Sequence, residues 1–431
     1  MSDPYESALN FLDSIRDNLP EDYRPYLQRL QQPQNLVQGD LEVKMDDGSM
    51  QKFRAYRFQH NNALGPYKGG IRFHKQVSES EVKALGLWMA LKTSIAGIPY
   101  GGGKGGVVID PAQLSQKELE NVSRAYMRLV AQHIGPDRDI PAPDVNTDSQ
   151  VMAWMLDEYE KILKHHAPAV ITGKPIELGG SAGRTKATGY GGVLALHFLK
   201  KACADAYPDN TNGWYHKKRA DITIAVQGFG NVGYYFAQTA ASEGYRVVAV
   251  SDSKGGIYAE NGLDPQAVLQ SKEKNGSVTA YTVGSAIITN EELLKLNVDI
   301  IVPSALEGAI HADNADHIQA PVIIEMANGP ITSEADDILS KKDMLTVPDI
   351  FANAGGVIVS YLEWVQNRTG LYWKEHEVDQ KLEELMQKAF DVMWGKHLEL
   401  KDSQGSATLR MAAYVLAVER IIKAEMLRRP L

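Results

Sequence analysis

Apolar residues first recur at helical spacing near the start of the chain. Leu9, Leu12, Ile15 and Leu19 stand among Asp, Glu and Arg, a pattern that predicts an amphipathic packing helix rather than a secretory leader. Two alternating runs, 41–45 and 53–58, flank Asp46-Asp47-Gly48-Ser49 and predict a β-hairpin. Val82, Leu85, Met89 and Ile95 form one stripe of a helix over about 80–97, and a second helix is predicted over 116–134. Between them, IPYGGGKGG (98–106) reads as a glycine-dense loop feeding a short strand at 107–109. PAPDVNTD (141–148) reads as a proline-punctuated turn in which Asn146, Thr147 or Asp148 caps the following helix.

The pattern changes after residues 171–192. That stretch is rich in glycine and has no apolar period, which makes it the candidate domain junction. Beyond it, apolar runs at 222–226, 247–250, 300–302 and 322–325 alternate with helical stretches, as in a parallel α/β sheet. After Asn353-Ala354-Gly355-Gly356 the chain turns helical again. Leu382, Leu385, Met386 and Phe390, then Met411, Val415, Val418 and Ile422, mark amphipathic helices over 377–396 and 407–428. The expected fold class is α/β with two domains: an N-terminal α/β domain over 1–183, completed by 355–431, and a Rossmann-like dinucleotide-binding domain over 184–354.

Bulk chemistry narrows the function classes. The 431 residues carry 45 basic and 54 acidic side chains, a net charge of −9, which disfavours nucleic acid as a partner. No apolar run approaches the roughly 18 residues of a membrane span. A cytoplasmic location is expected. The single cysteine, Cys203, can form neither an internal disulfide nor a thiolate cluster, and its neighbours read as a helix end. His165 and His166 are adjacent and lack the spacing of a helical ligand pair, so no metal is expected.

The strand at 222–226 runs into Gln227-Gly228-Phe229-Gly230-Asn231-Val232-Gly233, a helix follows, and the next strand ends at Ser251-Asp252. GxGxxG in that context predicts a dinucleotide site. Gly228 permits the tight turn, Gly230 lets the backbone approach a pyrophosphate, and Gly233 lets helix and strand pack closely. Asp252 suits the 2′-hydroxyl of NAD, whereas Ser253 and Lys254 suit the 2′-phosphate of NADP, and the choice stays open. In the first half, Lys68, Lys92 and Lys104 lie in or near glycine-rich, sparsely charged sequence. Lys92 also fits a helix residue reaching to water, and Asp144 a turn or cap aspartate. Taken together, the set offers cationic anchors for a dicarboxylate and groups able to exchange protons with an amine.

PYKGGIRFH (66–74), GGGKGG (101–106), PAPDVNT (141–147), GGSAGRTKATGYG (179–191), QGFGNVG (227–233) and ANAGGVIVSYLEWVQN (352–367) resemble, in the same order, the motifs of the amino-acid dehydrogenase superfamily, most closely its hexameric glutamate dehydrogenases. The resemblance implies hydride transfer between L-glutamate and NAD or NADP, giving 2-oxoglutarate and ammonia. It also implies a first domain for substrate binding and oligomerisation, and a homohexamer. Lys104 resembles the catalytic lysine and Asp144 the proton-transfer carboxylate; Lys92 matches the residue binding the α-carboxylate, and Lys68 with Ser360 the pair binding the side-chain carboxylate. Gly69, Ala142 and Val357 match pocket-lining residues; Arg184, Thr188, Asn328 and Asn353 match positions near the coenzyme and reacting centre. Leucine, valine and phenylalanine dehydrogenases share the machinery but are apolar where this chain has Lys68 and Ser360. A non-catalytic regulatory relative is the other alternative; it would be expected to lack Lys104, Asp144 or the glycine turn, all present here.

Overall fold

The computed structural model describes residues 3–405 and 407–429. The chain forms two compact units. The first comprises Met1–Arg184, Val357–Val378 and Tyr414–Leu431; the second comprises Thr185–Gly356 and Asp379–Ala413.

The first unit is built on a five-stranded sheet, β1 (Asn35–Lys44), β2 (Met50–Asn61), β3 (Tyr67–Phe73), β4 (Gly102–Val107) and β5 (Asp139–Pro143), in the order β1-β2-β4-β3-β5. The predicted hairpin is β1–β2, antiparallel and longer than the alternation showed, with Lys44 opposite Met50. β3 pairs in parallel with β4 and β5. β5 lies at the sheet edge, where Pro141 and Pro143 leave no unmet ladder donor. Helices Gln116–Val130 and Ser149–Leu163 bury Val122, Tyr126, Met152 and Met155 with Ile71 and Phe73 in one core. Asp148 caps the second of these helices, accepting the Val151 N–H at 2.9 Å.

Residues 98–106 differ from expectation: 102–107 form the central strand β4, not a loop. Its glycines allow backbone to approach backbone. A Cβ on Gly102 would lie 2.4 Å from Ala90 N and from Gly86 O of helix Glu79–Ile95, and one on Gly105 would lie 2.2 Å from the Tyr126 hydroxyl. Glycine density here reflects crowding on both faces of the sheet.

The second unit holds a seven-stranded sheet: β6 (Thr223–Gln227), β7 (Arg246–Asp252), β8 (Gly255–Tyr258), β9 (Ala286–Ile288), β10 (Ile300–Pro303), β11 (Val322–Ile324) and β12 (Leu345–Val347). The order is β12-β11-β10-β6-β7-β8-β9, parallel from β12 to β7 and antiparallel at β8 and β9. The strand order reverses direction at β6, the place where open α/β sheets bind ligands beyond the strand ends.

The C-terminal segment corrects one expectation. Not all of 355–431 completes the first unit, because Asp379–Ala413 belongs to the second. Helix Glu375–Gln404 directs Phe390 against Phe198 and Phe351, both residues of the second unit. The amphipathic period was legible, but not the core that its apolar face would choose.

Candidate active site

In the first unit the predicted lysines occupy regular structure. Lys68 is on β3 and 1% exposed; its Nζ donates to Thr172 Oγ1 at 2.9 Å and to the carbonyls of Ile140 (3.2 Å) and Pro141 (3.5 Å). Burial, reinforced by the nearby Arg57 charge, holds the Lys68 ammonium well below the usual lysine range, although Glu363 opposes the shift. All three direct partners are neutral, so an incoming carboxylate would supply the missing counter-charge. Arg57 is fully buried and donates through Nε to Asp139 at 2.9 Å and through Nη1 to Gly69 O at 3.1 Å, fixing the strand that carries Lys68.

Lys104 is on β4, and its Nζ meets Asp144 Oδ1 at 2.9 Å. Arg72 donates through Nε to Asp144 Oδ2 at 2.9 Å and pairs through Nη1 with Glu81. Burial raises the Asp144 pKa, but Lys104 and Arg72 outweigh it and bring the carboxyl to about 2. In this arrangement Asp144 is an ionised anchor. It takes up a proton readily only if one of the two cations withdraws. Gly70 leaves room for it: a Cβ there would lie 2.6 Å from Asp144 Cβ.

Lys92 is half-buried in the last turn of helix Glu79–Ile95, which packs along β4. Gly69 lies so close to β4 that a Cβ would meet Gly103 O at 1.6 Å, and Ala142 is buried on β5. Val357 and Ser360 begin the first-unit part of helix Gly355–Thr369. Ser360 Oγ accepts Arg184 Nε at 3.2 Å, which places Arg184, expected near coenzyme, beside a residue of the expected substrate pocket.

Several contributors had no local signal. Thr172, which holds Lys68, lies 104 residues away in sequence within the stretch read only as a junction. Its loop is fixed by buried Glu363, which accepts the Gly173 N–H at 2.9 Å and the Lys174 ammonium at 2.6 Å. Arg72 was visible only as part of a motif.

In the second unit, Gly228 has φ +95°, and a Cβ there would lie 2.7 Å from Ala305 Cβ. A Cβ on Gly233 would strike Gly228 O at 1.8 Å, whereas one on Gly230 meets nothing within 4 Å. Gly228 and Gly233 are therefore fixed by the protein itself, and the space beside Gly230 is open. Phe229 is buried, whereas Asn231 and Val232 open helix Asn231–Ser242, whose N-cap, Gly230, provides no side-chain cap. Open backbone at an uncapped helix N-terminus fits a pyrophosphate. Thr188 lies in the first turn of helix Ala187–Ala206, and Asp252, Ser253 and Lys254 follow at the end of β7.

Asn353 Nδ2 donates to Asn328 Oδ1 at 3.0 Å, and its own buried Oδ1 meets no donor among the described residues, an acceptor suited to a bound amide or ammonium. The Asn328 loop is held from below. Asp349 Oδ2 accepts the Gly329 N–H at 2.8 Å, and Glu325 Oε2 accepts the Asp349 N–H at 2.9 Å while Oε1 takes Arg410 Nη2 at 2.7 Å. Burial raises the Glu325 carboxyl to about 7; Arg410 opposes this, and the Asp349 charge adds to it. The native state therefore holds the proton more tightly than an unfolded chain at 4.5, so the stabilisation is full below 4.5 and is lost as pH rises through about 7. Glu325→Gln, neutral throughout, should gain about 3 kcal/mol relative to the parent between pH 4.5 and 8. Urea unfolding across that range tests it; a difference independent of pH would refute the assignment.

Cys203 is buried, and burial pushes its thiol up to about 12, which makes it inert. Among the described residues no three His, Cys, Asp or Glu side chains group as metal ligands, and no helix is long and apolar enough to cross a membrane.

Two family models divide the chain much as the two sheets do. Residues 33–161 match the Glu/Leu/Phe/Val dehydrogenase dimerisation domain, and residues 179–429 match Glutamate/Leucine/Phenylalanine/Valine dehydrogenase. The chain belongs to this dehydrogenase family. The NADP-specific glutamate dehydrogenase A1 of Halobacterium salinarum is 44% identical over 98% of this chain and 97% of its own. An NAD-specific glutamate dehydrogenase of Staphylococcus aureus is also 44% identical, over 92% of this chain and 91% of its own. A crystal structure of hetero-hexameric glutamate dehydrogenase from Thermus thermophilus superposes with a TM-score of 0.87 at 36% identity, covering 99% of this chain and 97% of that one. Lys68 is buried and the Arg184 charge acts on it, while Arg184 itself hydrogen-bonds Ser360.

Proposed function

We propose that this enzyme interconverts L-glutamate with 2-oxoglutarate and ammonia, using NAD or NADP. One observation carries the choice of substrate within the family: the Lys68 amine is buried and its direct partners are neutral, so it has no charged group paired to it directly. An apolar substrate would leave it uncompensated, whereas the side-chain carboxylate of glutamate would pair with it.

The residues divide the work as follows. Lys68 and Ser360 bind the side-chain carboxylate, Thr172 orients the Lys68 amine, and Gly69, Ala142 and Val357 line the pocket. Lys92 binds the α-carboxylate. Lys104 polarises the carbonyl of 2-oxoglutarate and hands protons to and from the attacking or leaving water. Asp144 exchanges a proton with the substrate nitrogen once that nitrogen displaces one of its cations. The glycine turn and the first turn of its helix hold the pyrophosphate, and Thr188, Asn328 and Asn353 hold the nicotinamide end. When bound, nicotinamide supplies the acceptor or donor for the α-carbon hydride. Arg184, bonded to Ser360, is a positioning residue of the substrate pocket. The enzyme assembles as an oligomer, a homohexamer in this reading, and works in the cytoplasm.

Purified protein assayed at 340 nm with 2-oxoglutarate, ammonium and NADH or NADPH should oxidise the coenzyme. Branched-chain 2-oxo acids should not substitute. Activity with those acids alone would overturn the substrate assignment, and folded protein silent with every pair would overturn the catalytic reading.

A further inference from the structure

Similarity does not choose between the coenzymes, since relatives at equal identity bear NADP-specific and NAD-specific names. The adenosine end of the site does bear on the choice. A carboxylate that selects NAD must offer its oxygens to the ribose hydroxyls. Asp252 has little left to offer. Its Oδ1 accepts the Lys254 N–H at 2.9 Å and the Ser277 hydroxyl at 3.1 Å, and its Oδ2 accepts the Val278 N–H at 2.8 Å. Of the roughly four lone-pair sites on a carboxylate, three are taken. The Asp252 carbonyl is tied as well, accepting Asn290 Nδ2 at 2.9 Å. The carboxylate thus ties the end of β7 to the segment after helix Pro265–Asn275.

Lys254, two residues beyond this aspartate, and Lys272, on helix Pro265–Asn275, have ammonium groups that hydrogen-bond to carbonyl oxygens. Lys254 is exposed, and its Nζ donates to Gly276 O at 3.0 Å. Lys272 reaches from the same helix to the glycine turn itself, its Nζ 2.7 Å from Phe229 O. Ser253 is exposed beside Lys254. A phosphate dianion is a far stronger partner for an ammonium than a carbonyl oxygen. We propose that Ser253, Lys254 and Lys272 form a 2′-phosphate subsite and that this chain prefers NADP(H) over NAD(H). The proposal rests on the dehydrogenase reading above, but its binding arm does not require turnover.

The test is calorimetric titration of the intact protein with 2′,5′-ADP and with 5′-AMP, which differ only in the 2′-phosphate. The first should bind at least about tenfold more tightly at low salt, and the margin should narrow as potassium chloride screens the lysines. Lys254→Ala with Lys272→Ala should remove most of the margin, and kcat/KM with NADPH should exceed that with NADH in the parent. Equal binding of the two probes, a margin that survives the double substitution, or NADH as the better coenzyme would overturn the subsite. Selective 2′,5′-ADP binding by protein that is inert on 2-oxoglutarate would support the subsite while removing the glutamate dehydrogenase reading.

Discussion

Replacing Lys104 with alanine should lower the turnover of 2-oxoglutarate by roughly a hundredfold to ten-thousandfold, the range set by a positioned acid–base group. The ammonium is nearly buried on a central strand and lies 2.9 Å from the Asp144 carboxylate, so its position is fixed by the sheet rather than by a mobile loop. Two contributions disappear together: a cation at the carbonyl oxygen and a proton donor to departing water. Lys104→Arg separates them, because arginine retains the charge but does not surrender a proton. It too should be severely impaired. Coenzyme binding, followed by quenching of protein fluorescence, should persist in both variants, because the glycine turn belongs to the other compact unit. A Lys104→Ala enzyme within tenfold of the parent in kcat would remove Lys104 from the reaction.

Lys68→Leu should reverse the preference between dicarboxylic and apolar substrates. Sites built to pair a charged or hydrogen-bonding group reject ligands lacking it by about 10⁴-fold, so kcat/KM for 2-oxoglutarate should fall by that order. Thr172 Oγ1 and the Ile140 carbonyl then lose their donor, but a leucine needs none, and the buried charge is gone. Branched-chain 2-oxo acids should improve relative to 2-oxoglutarate by about 10³-fold or more. Their absolute rates should stay low, because Arg184 remains beside Ser360 and presents a guanidinium to an apolar chain. Adding Ser360→Val removes the acceptor of that guanidinium without removing its charge, so full conversion is not expected. Steady-state kinetics with both substrate classes decide the matter. Retention of 2-oxoglutarate preference within tenfold of the parent would mean that the side-chain carboxylate is bound elsewhere.

Much of this molecule was written in its sequence. Alternation over 41–58 set the β1–β2 hairpin, and glycine spacing between a strand and a helix set the turn at 228–233. Both depend on neighbours along the chain, through side-chain periodicity and backbone freedom, so local reading suffices. The lysines and Asp144 were legible as residues out of place, charged groups in glycine-rich or proline-rich surroundings. Their partnerships were not. Thr172 beneath Lys68, Arg72 beside Asp144 and Arg184 on Ser360 are contacts across 104, 72 and 176 residues. The glycines of β4 read as a loop from sequence alone, because crowding by Ala90 and Tyr126 exists only once the helices have packed. Residues 379–413 join the second unit because an apolar helix face specifies burial but not which core receives it. The orientation of Asp252 follows the same logic. Local pattern puts an acid at the end of β7; that Ser277 and Val278 occupy it follows from packing, since the direction of a carboxylate is fixed by donors brought near from elsewhere in the chain.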